Sequence, residues 1–272
     1  MWHVAAGAGV PVLFIHGAFA DYRFFEPQLG ALSRRRKVIV CSLEGYHPNP
    51  FHIARFSAQR HLEQLEAALR LVVGKVHVVG HSRGARIALH LAAACPEMLL
   101  SLTLVEPGGV MDDDFLGVNA VAGGLKWSSG DPRETALALL QTDREAAIRA
   151  YLEHGFGHGA WDRSDPLFKR VGMANIGTLA GMVPDRSVPL SRNVARQVKC
   201  PTLLVGGTDS PKIFEQIIEV LQATIADARR VTLAGADHFM TLGQAHAFNT
   251  LLEAYFDKVE GRASAPGSGP NR

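Results

Sequence analysis

Val76-His77-Val78-Val79-Gly80-His81-Ser82-Arg83-Gly84 is the stretch on which the reading of this chain turns. A β-branched, apolar run ends at Val79, and a stretch with helical spacing, Arg83 to Ala94, follows at once. Between them lies Gly-x-Ser-x-Gly, which marks a nucleophile elbow when it joins a strand to a helix. Ser82 must then sit in a strained turn, so Gly80 and Gly84 carry no side chain that would clash. The turn lifts the Ser82 hydroxyl above the sheet and points the N-terminus of the next helix at it.

Working outward, short apolar runs alternate with amphipathic stretches. Val12–Ile15, Val38–Cys41, Val76–Val79 and Leu102–Val105 read as strands. Phe24 to Ser33 reads as a helix. So does Ser57 to Val73, with Leu62, Leu65, Leu69 and Val72 at helical spacing and Ser57 as its cap. The alternation predicts a parallel sheet with helices on both faces. It breaks from about residue 110 to 197, where amphipathic pieces such as Arg133 to His154 stand among glycines. It resumes with a strand at Thr202–Val205, a helix at Pro211–Ile225, a strand at Arg230–Leu233 and a final helix near Gln244–Lys258. A long helical insertion in such a sheet covers the site at the strand ends. The predicted organisation is a core of residues 1–110 and 197–260, a helical cap of 111–196 and a disordered tail, Gly261 to Arg272, with little to bury.

The 272 residues fit one large α/β domain, and 47% hydrophobic residues suffice for strands buried on both faces. A net charge of +2 gives no reason to expect a nucleic-acid partner. The basic run Arg34-Arg35-Arg36-Lys37 lacks interleaved aromatics and reads as a solvated stretch before a strand. Three widely spaced cysteines, Cys41, Cys95 and Cys200, suggest reduced thiols in a cytoplasmic protein. Met1 to Ala20 lacks a positively charged start, and glycines interrupt its apolar run, which argues against a signal peptide and a membrane span. Nothing in the sequence sets the oligomeric state.

A nucleophilic serine needs a base, an acid and an oxyanion hole. His238, in Gly235-Ala236-Asp237-His238-Phe239 after the last predicted strand, is the expected general base. Two carboxylates could orient it. Asp209 follows the penultimate strand and precedes His238 by one strand–helix unit, and it is the favoured acid. Glu106, after the strand ending at Val105, is the alternative. The N–H of Arg83 supplies one oxyanion donor, and Ala18 or Phe19, in the loop after the first predicted strand, supplies the second. His16, in that loop, is expected to hold its shape through hydrogen bonds. Tyr46, His81, Arg86 and Trp161 are the candidate substrate-binding residues, with Phe156 and Trp127 as further aromatic candidates. A metal held by Glu153, His154, His158 and Asp162 is disfavoured, because Gly155, Gly157 and Gly159 would destabilise the helix needed to align them.

Through His16-Gly17, Gly80-His81-Ser82-Arg83-Gly84, Asp209 and His238, in that order, the chain resembles the α/β-hydrolase superfamily over nearly all its length. The resemblance implies an eight-stranded, mostly parallel sheet, a helical cap between the fourth and fifth predicted strands, and no cofactor. Only Met1 to Val10 precede the His-Gly strand, so the family's first strand is expected to be missing and its second to be a stub. The expected activity is hydrolysis of a carboxylic ester, lactone or thioester through an acyl-enzyme. The alternatives are a C–C bond hydrolase or lyase acting on a dienoate or cyclohexadiene carboxylate, and a non-enzymatic small-molecule receptor. Arg86 stands where menaquinone-pathway synthases of the superfamily carry an arginine for a substrate carboxylate, although a structural arginine is the expectation here.

Overall fold

Apolar runs with no polar break leave both faces of a strand free for burial, and Pro11–Ile15 (β2) is buried at every residue. A computed structural model describes residues 1–117 and 132–261. Seven strands form one sheet: β1 (Trp2–Ala6), β2, β3 (Lys37–Ser42), β4 (Val76–His81), β5 (Leu99–Val105), β6 (Thr202–Gly207) and β7 (Ala228–Leu233). Their spatial order is β1-β3-β2-β4-β5-β6-β7. Every neighbouring pair is parallel except β1 with β3. The period-2 geometry of strands divides the core. Leu13, Ile15, Val78 and Leu104 pack on one face, and Val12, Phe14, Val79 and Val105 on the other.

The family's second strand is no stub. β1 pairs with β3 along its whole length, from Trp2 opposite Ser42 to Ala6 opposite Val38. It is an edge strand with mostly exposed residues, so it lacks the buried apolar run that marks the others. The predicted helix at 57–73 ends earlier, at Leu69. Leu71 and Val73 are exposed, and only the turns before them are buried. Ser57 caps this helix as expected, its hydroxyl accepting from the Arg60 N–H at 3.1 Å.

The helical insertion joins the end of β5 to the start of β6. Its described helices include Pro132–Leu139, Arg144–Phe156 and Pro166–Asn175. Its two stems are hydrogen-bonded together: Leu190 N–H donates to Val110 O, and Asp112 N–H to Leu190 O, both at 2.9 Å. Trp127 and almost all of the predicted tail lie outside the described residues. No described helix is long and apolar enough to cross a membrane.

The basic run before β3 is not simply solvated. Arg36 is fully buried and forms ion pairs with Glu253, with Asp257 at 2.6 Å and with Glu260 at 3.0 Å. These carboxylates belong to or follow the last helix, Ala245–Val259, which is thereby fastened to the start of β3. Cys41, Cys95 and Cys200 are buried free thiols.

Candidate active site

In a parallel sheet the loops at the carboxyl ends of the strands share one edge. Here those loops carry His16 after β2, Ser82 after β4, Glu106 after β5, Asp209 after β6 and His238 after β7. Ser82 stands at φ 55° and ψ −120°, between β4 and the helix Arg83–Ala94. The two glycines are sterically required. A Cβ on Gly80 would lie 2.6 Å from Ala85 Cα, and one on Gly84 would lie 2.3 Å from Ile15 O. These are backbone atoms in the sheet and the elbow helix, and they cannot yield without moving those elements.

His238 is buried, and its Nδ1 donates to Glu106 Oε2 at 2.7 Å. The second Glu106 oxygen, Oε1, accepts the Gly207 N–H at 2.9 Å. Glu106 itself stands at φ 40°, a strained conformation at the end of β5. This corrects the expectation for Asp209. Asp209 is exposed, and its Oδ1 accepts from the neighbouring Thr208 hydroxyl at 2.9 Å. Its backbone N–H donates to Ala236 O at 2.9 Å, while its side chain stays in solvent. With Nδ1 protonated and held by Glu106, Nε2 of His238 is left as the basic nitrogen. The ring stacks on Phe156 and Phe214, with centroids 4.6 Å and 4.5 Å away.

Ser82 opens on two cavities. The smaller, about 50 Å³, is lined by Ser82, His238, Phe19, Phe24 and Phe168 among others. The larger, about 540 Å³, reaches from Ser82 past Arg86, Gly109 and Phe214 to Tyr151, Phe156 and Met182 of the insertion. Ala18 lines both cavities, and Phe19 stands at φ 54°. The Arg83 N–H is at the first position of its helix, where amides have no intrahelical acceptor. Ala18 and Arg83 line the larger cavity with Ser82, and Ala18 and Phe19 line the smaller one with it.

His16 has the structural role foreseen. Its Nε2 accepts from Leu43 N–H at 3.1 Å and its Nδ1 donates to Gly17 O at 2.9 Å. Burial lowers its pKa to about 4, so it stays neutral. His81 donates through Nε2 to the His238 carbonyl at 2.7 Å, and burial, followed by the nearby His238, holds its pKa well below the ordinary value. It lines the smaller cavity and braces the His238 loop.

Of the other expected substrate-binding residues, only Arg86 lines the larger cavity. Tyr46 and Trp161 line neither cavity. Tyr46 is fully buried against His16, Phe56 and His61. Trp161 is buried within the insertion and donates to Glu145 at 3.1 Å. Aromatic character identified these side chains, but not the direction in which they face. Tyr151 and Phe214 were missed. Each sits on a helix, Arg144–Phe156 and Lys212–Thr224, where sequence spacing does not tell an aromatic that faces the cavity from one that packs elsewhere. Among the described residues, no three His, Cys, Asp or Glu side chains converge as metal ligands.

Comparison with known proteins places the chain in a family and a fold. The model of the α/β hydrolase fold family matches residues 10–243. The chain is 27% identical over 239 residues to a 2-(acetamidomethylene)succinate hydrolase of Mesorhizobium japonicum, covering 86% of this chain and 83% of that protein. Among solved structures it is similar to a thermophilic esterase from Thermogutta terrifontis, with a TM-score of 0.74 and 20% identity, covering 95% of this chain and 93% of that one. It is also similar to Est816, described as an N-acyl homoserine lactone degrading enzyme, with a TM-score of 0.74 and 20% identity over 93% of this chain and 96% of that one. At that identity the two structural likenesses concern the fold alone.

Proposed function

The chain belongs to the α/β-hydrolase fold family and is an enzyme, a hydrolase, and from that premise we propose that it cleaves a carboxylic ester, lactone or thioester through an acyl-enzyme on Ser82. The observation that carries this reading is the 2.7 Å contact of His238 Nδ1 with Glu106 Oε2, with Ser82 on the same cavity as the His238 ring. Glu106 fixes the imidazole tautomer and stabilises the imidazolium that forms during attack. His238 Nε2 takes the Ser82 proton as Oγ adds to the carbonyl carbon. The resulting oxyanion is held by the N–H of Arg83 and that of Ala18 or Phe19. The imidazolium returns the proton to the leaving group. Water, deprotonated by the same Nε2, then attacks the acyl-enzyme and releases the acid.

In this reading residues 111–196 act as a cap, since Tyr151, Phe156 and Met182 of the insertion wall the larger cavity. The substrate is a small molecule. A cytoplasmic setting suits three buried, unpaired thiols. A fluorophosphonate probe tests the nucleophile directly, because only an activated hydroxyl reacts quickly. Labelling is expected on Ser82 and is expected to vanish in Ser82→Ala. Labelling that persists in that variant removes Ser82 from the mechanism. A second reading, C–C bond cleavage in a dienoate or cyclohexadiene carboxylate, has one observation in its favour: Arg86 lines the cavity. Ring-cleavage acids run beside p-nitrophenyl esters and lactones separate the two.

A further inference from the structure

His238 lines the smaller of the two cavities and not the larger. Its Nδ1 is held by Glu106, and Phe156 and Phe214 stack on its ring. Nε2 makes no hydrogen bond among the described residues, yet it is not sealed in the interior. The free surface of Nε2 therefore belongs to the smaller cavity. Ser82, Ala18, Tyr151 and Phe156 line both cavities. A carbonyl carbon bonded to Ser82 thus stands where the two meet, and its two substituents divide between them.

The chemistry decides which substituent goes where. When the tetrahedral intermediate collapses, the C–O bond to the alcohol breaks and the electron pair stays on the alcohol oxygen. That oxygen takes the proton carried by Nε2. An alkoxide is too basic to leave without it, so the alcohol must lie on the side where Nε2 is open. That side is cramped: the smaller cavity measures about 50 Å³, the larger about 540 Å³. At about 10–15 Å³ for each water-sized group, the smaller one admits the alcohol oxygen and about one to three carbons. Its walls are set in the core. Phe19, Phe24 and Leu152 are buried, and Phe168 packs on Phe239 at 4.5 Å. Such close-packed side chains do not yield to an extra methylene without strain.

We propose that the smaller cavity is the leaving-group site, so that the enzyme cleaves esters of alcohols of about one to three carbons, with the bulk of the substrate in an acyl part that fills the larger cavity. This rests on the hydrolase reading above and narrows it to a substrate class, setting aside thioesters of large thiols. The water that ends the cycle must also meet Nε2, and the vacated smaller cavity is where it does so.

Isomeric esters test the proposal on the wild-type enzyme, because each pair differs only in which side of the ester is bulky. The pairs are methyl heptanoate with hexyl acetate, and methyl 3-phenylpropanoate with 2-phenylethyl acetate, each rate being divided by that of hydroxide. The methyl ester should lead by at least about tenfold in kcat/KM in one pair and be reversed in neither, since one methylene in a pocket is worth about 10–200-fold. A lead below about tenfold in both pairs, or a reversal in either, overturns the proposal. Phe168→Leu and Leu152→Ala widen the smaller cavity alone. At least one should raise the rate on butyl hexanoate relative to methyl hexanoate by about fivefold or more, and an unmoved ratio in both folded variants counts against the assignment. p-Nitrophenyl hexanoate isolates the second half of the cycle, because its leaving group departs without a proton. Methanol should then capture the acyl-enzyme at least about tenfold better than 1-butanol, and equal capture overturns the proposal. If no ester in either pair turns over while Ser82 is still labelled by the fluorophosphonate, the nucleophile stands and the leaving-group assignment falls. Absence of labelling in the wild type removes the hydrolase reading itself.

Discussion

Lowering the pH from 7 to 5 should strip this protein of much of its stability, because three buried histidines are locked in the neutral form. In His16, Nε2 accepts the Leu43 N–H and Nδ1 donates to Gly17 O. A second ring proton would face a donor. In His61, Nε2 donates to Glu44 O at 2.8 Å and Nδ1 accepts from Arg83 Nη1 at 3.1 Å, so a second proton would face a guanidinium. Burial first, with Arg83 contributing to both, lowers the pKa to about 4 for His16 and about 2 for His61. His81 is depressed in the same direction. Above the ordinary value of 6.5 neither the folded nor the unfolded chain binds these protons, and stability is intact. Below it the unfolded chain takes them up and the folded chain does not, so stability falls with pH until the folded values are reached. At pH 5 the loss is about 2 kcal/mol for each of His16 and His61, about 4 kcal/mol together, against a typical total of about 5–15 kcal/mol. His81 adds to it. The depressed carboxylates Asp21, Asp185 and Asp257 act in a lower window, their stabilisation being lost as pH falls below about 3.8. Urea unfolding at half-unit steps from pH 7.5 to 5 measures the effect. The slope between pH 6 and 5 should be at least about 2.5 kcal/mol per pH unit, and His61→Gln should lower it by about 1.2 kcal/mol per pH unit. A stability constant to within about 1 kcal/mol from pH 7 to 5 would refute the locked-neutral account.

Glu106→Gln should lower kcat by about 10⁴, while Asp209→Asn stays within about threefold of the parent at matched melting temperature; the reverse order would return the role of acid to Asp209. Gly84→Ala places a Cβ 2.3 Å from Ile15 O and 2.4 Å from His16 O. It should cost about 3 kcal/mol or more, and a soluble variant with the parent melting temperature contradicts that packing. Trp161→Ala should cost about 3–5 kcal/mol in unfolding free energy without altering acyl preference, because its ring fills the interior of the insertion. Phe156→Ala, which removes a wall of the cavity beside His238, should shift the preference between short and long acyl groups. An unchanged profile across a p-nitrophenyl ester series counts against the insertion as a specificity layer.

The sheet centre was legible because strands buried on both faces leave unbroken apolar runs, as at Val12–Ile15 and Thr202–Val205. β1 was not, because an exposed edge strand is held by its backbone ladder to β3 and by little that side-chain type records. The elbow was legible for a local reason: Gly80 and Gly84 answer steric demands within a few residues of Ser82. The choice of acid was not local. Asp209 and Glu106 both stand at strand ends. What decides between them is the φ of 40° at Glu106 together with the Gly207 N–H that fixes its carboxylate, 101 residues away. In the same way, Tyr46, Trp161, Phe156 and Phe214 share an apolar character. Only the packing sends the first two into the interior and the second two to His238.

The stems of the insertion, joined at Val110, Asp112 and Leu190, bear on how such a molecule can change over generations. Ser82 and Glu106 precede the first stem and His238 follows the second, so the reacting groups stand on scaffold that the insertion interrupts without rearranging. A segment whose two ends are already clasped can lengthen or shorten at little entropic cost, since each doubling of loop length costs only about 0.6 kcal/mol. The clasp therefore works as a pair of splice points. Material between them can be traded for another stretch of chain, altering which molecules reach the serine while the machinery beneath it is inherited intact.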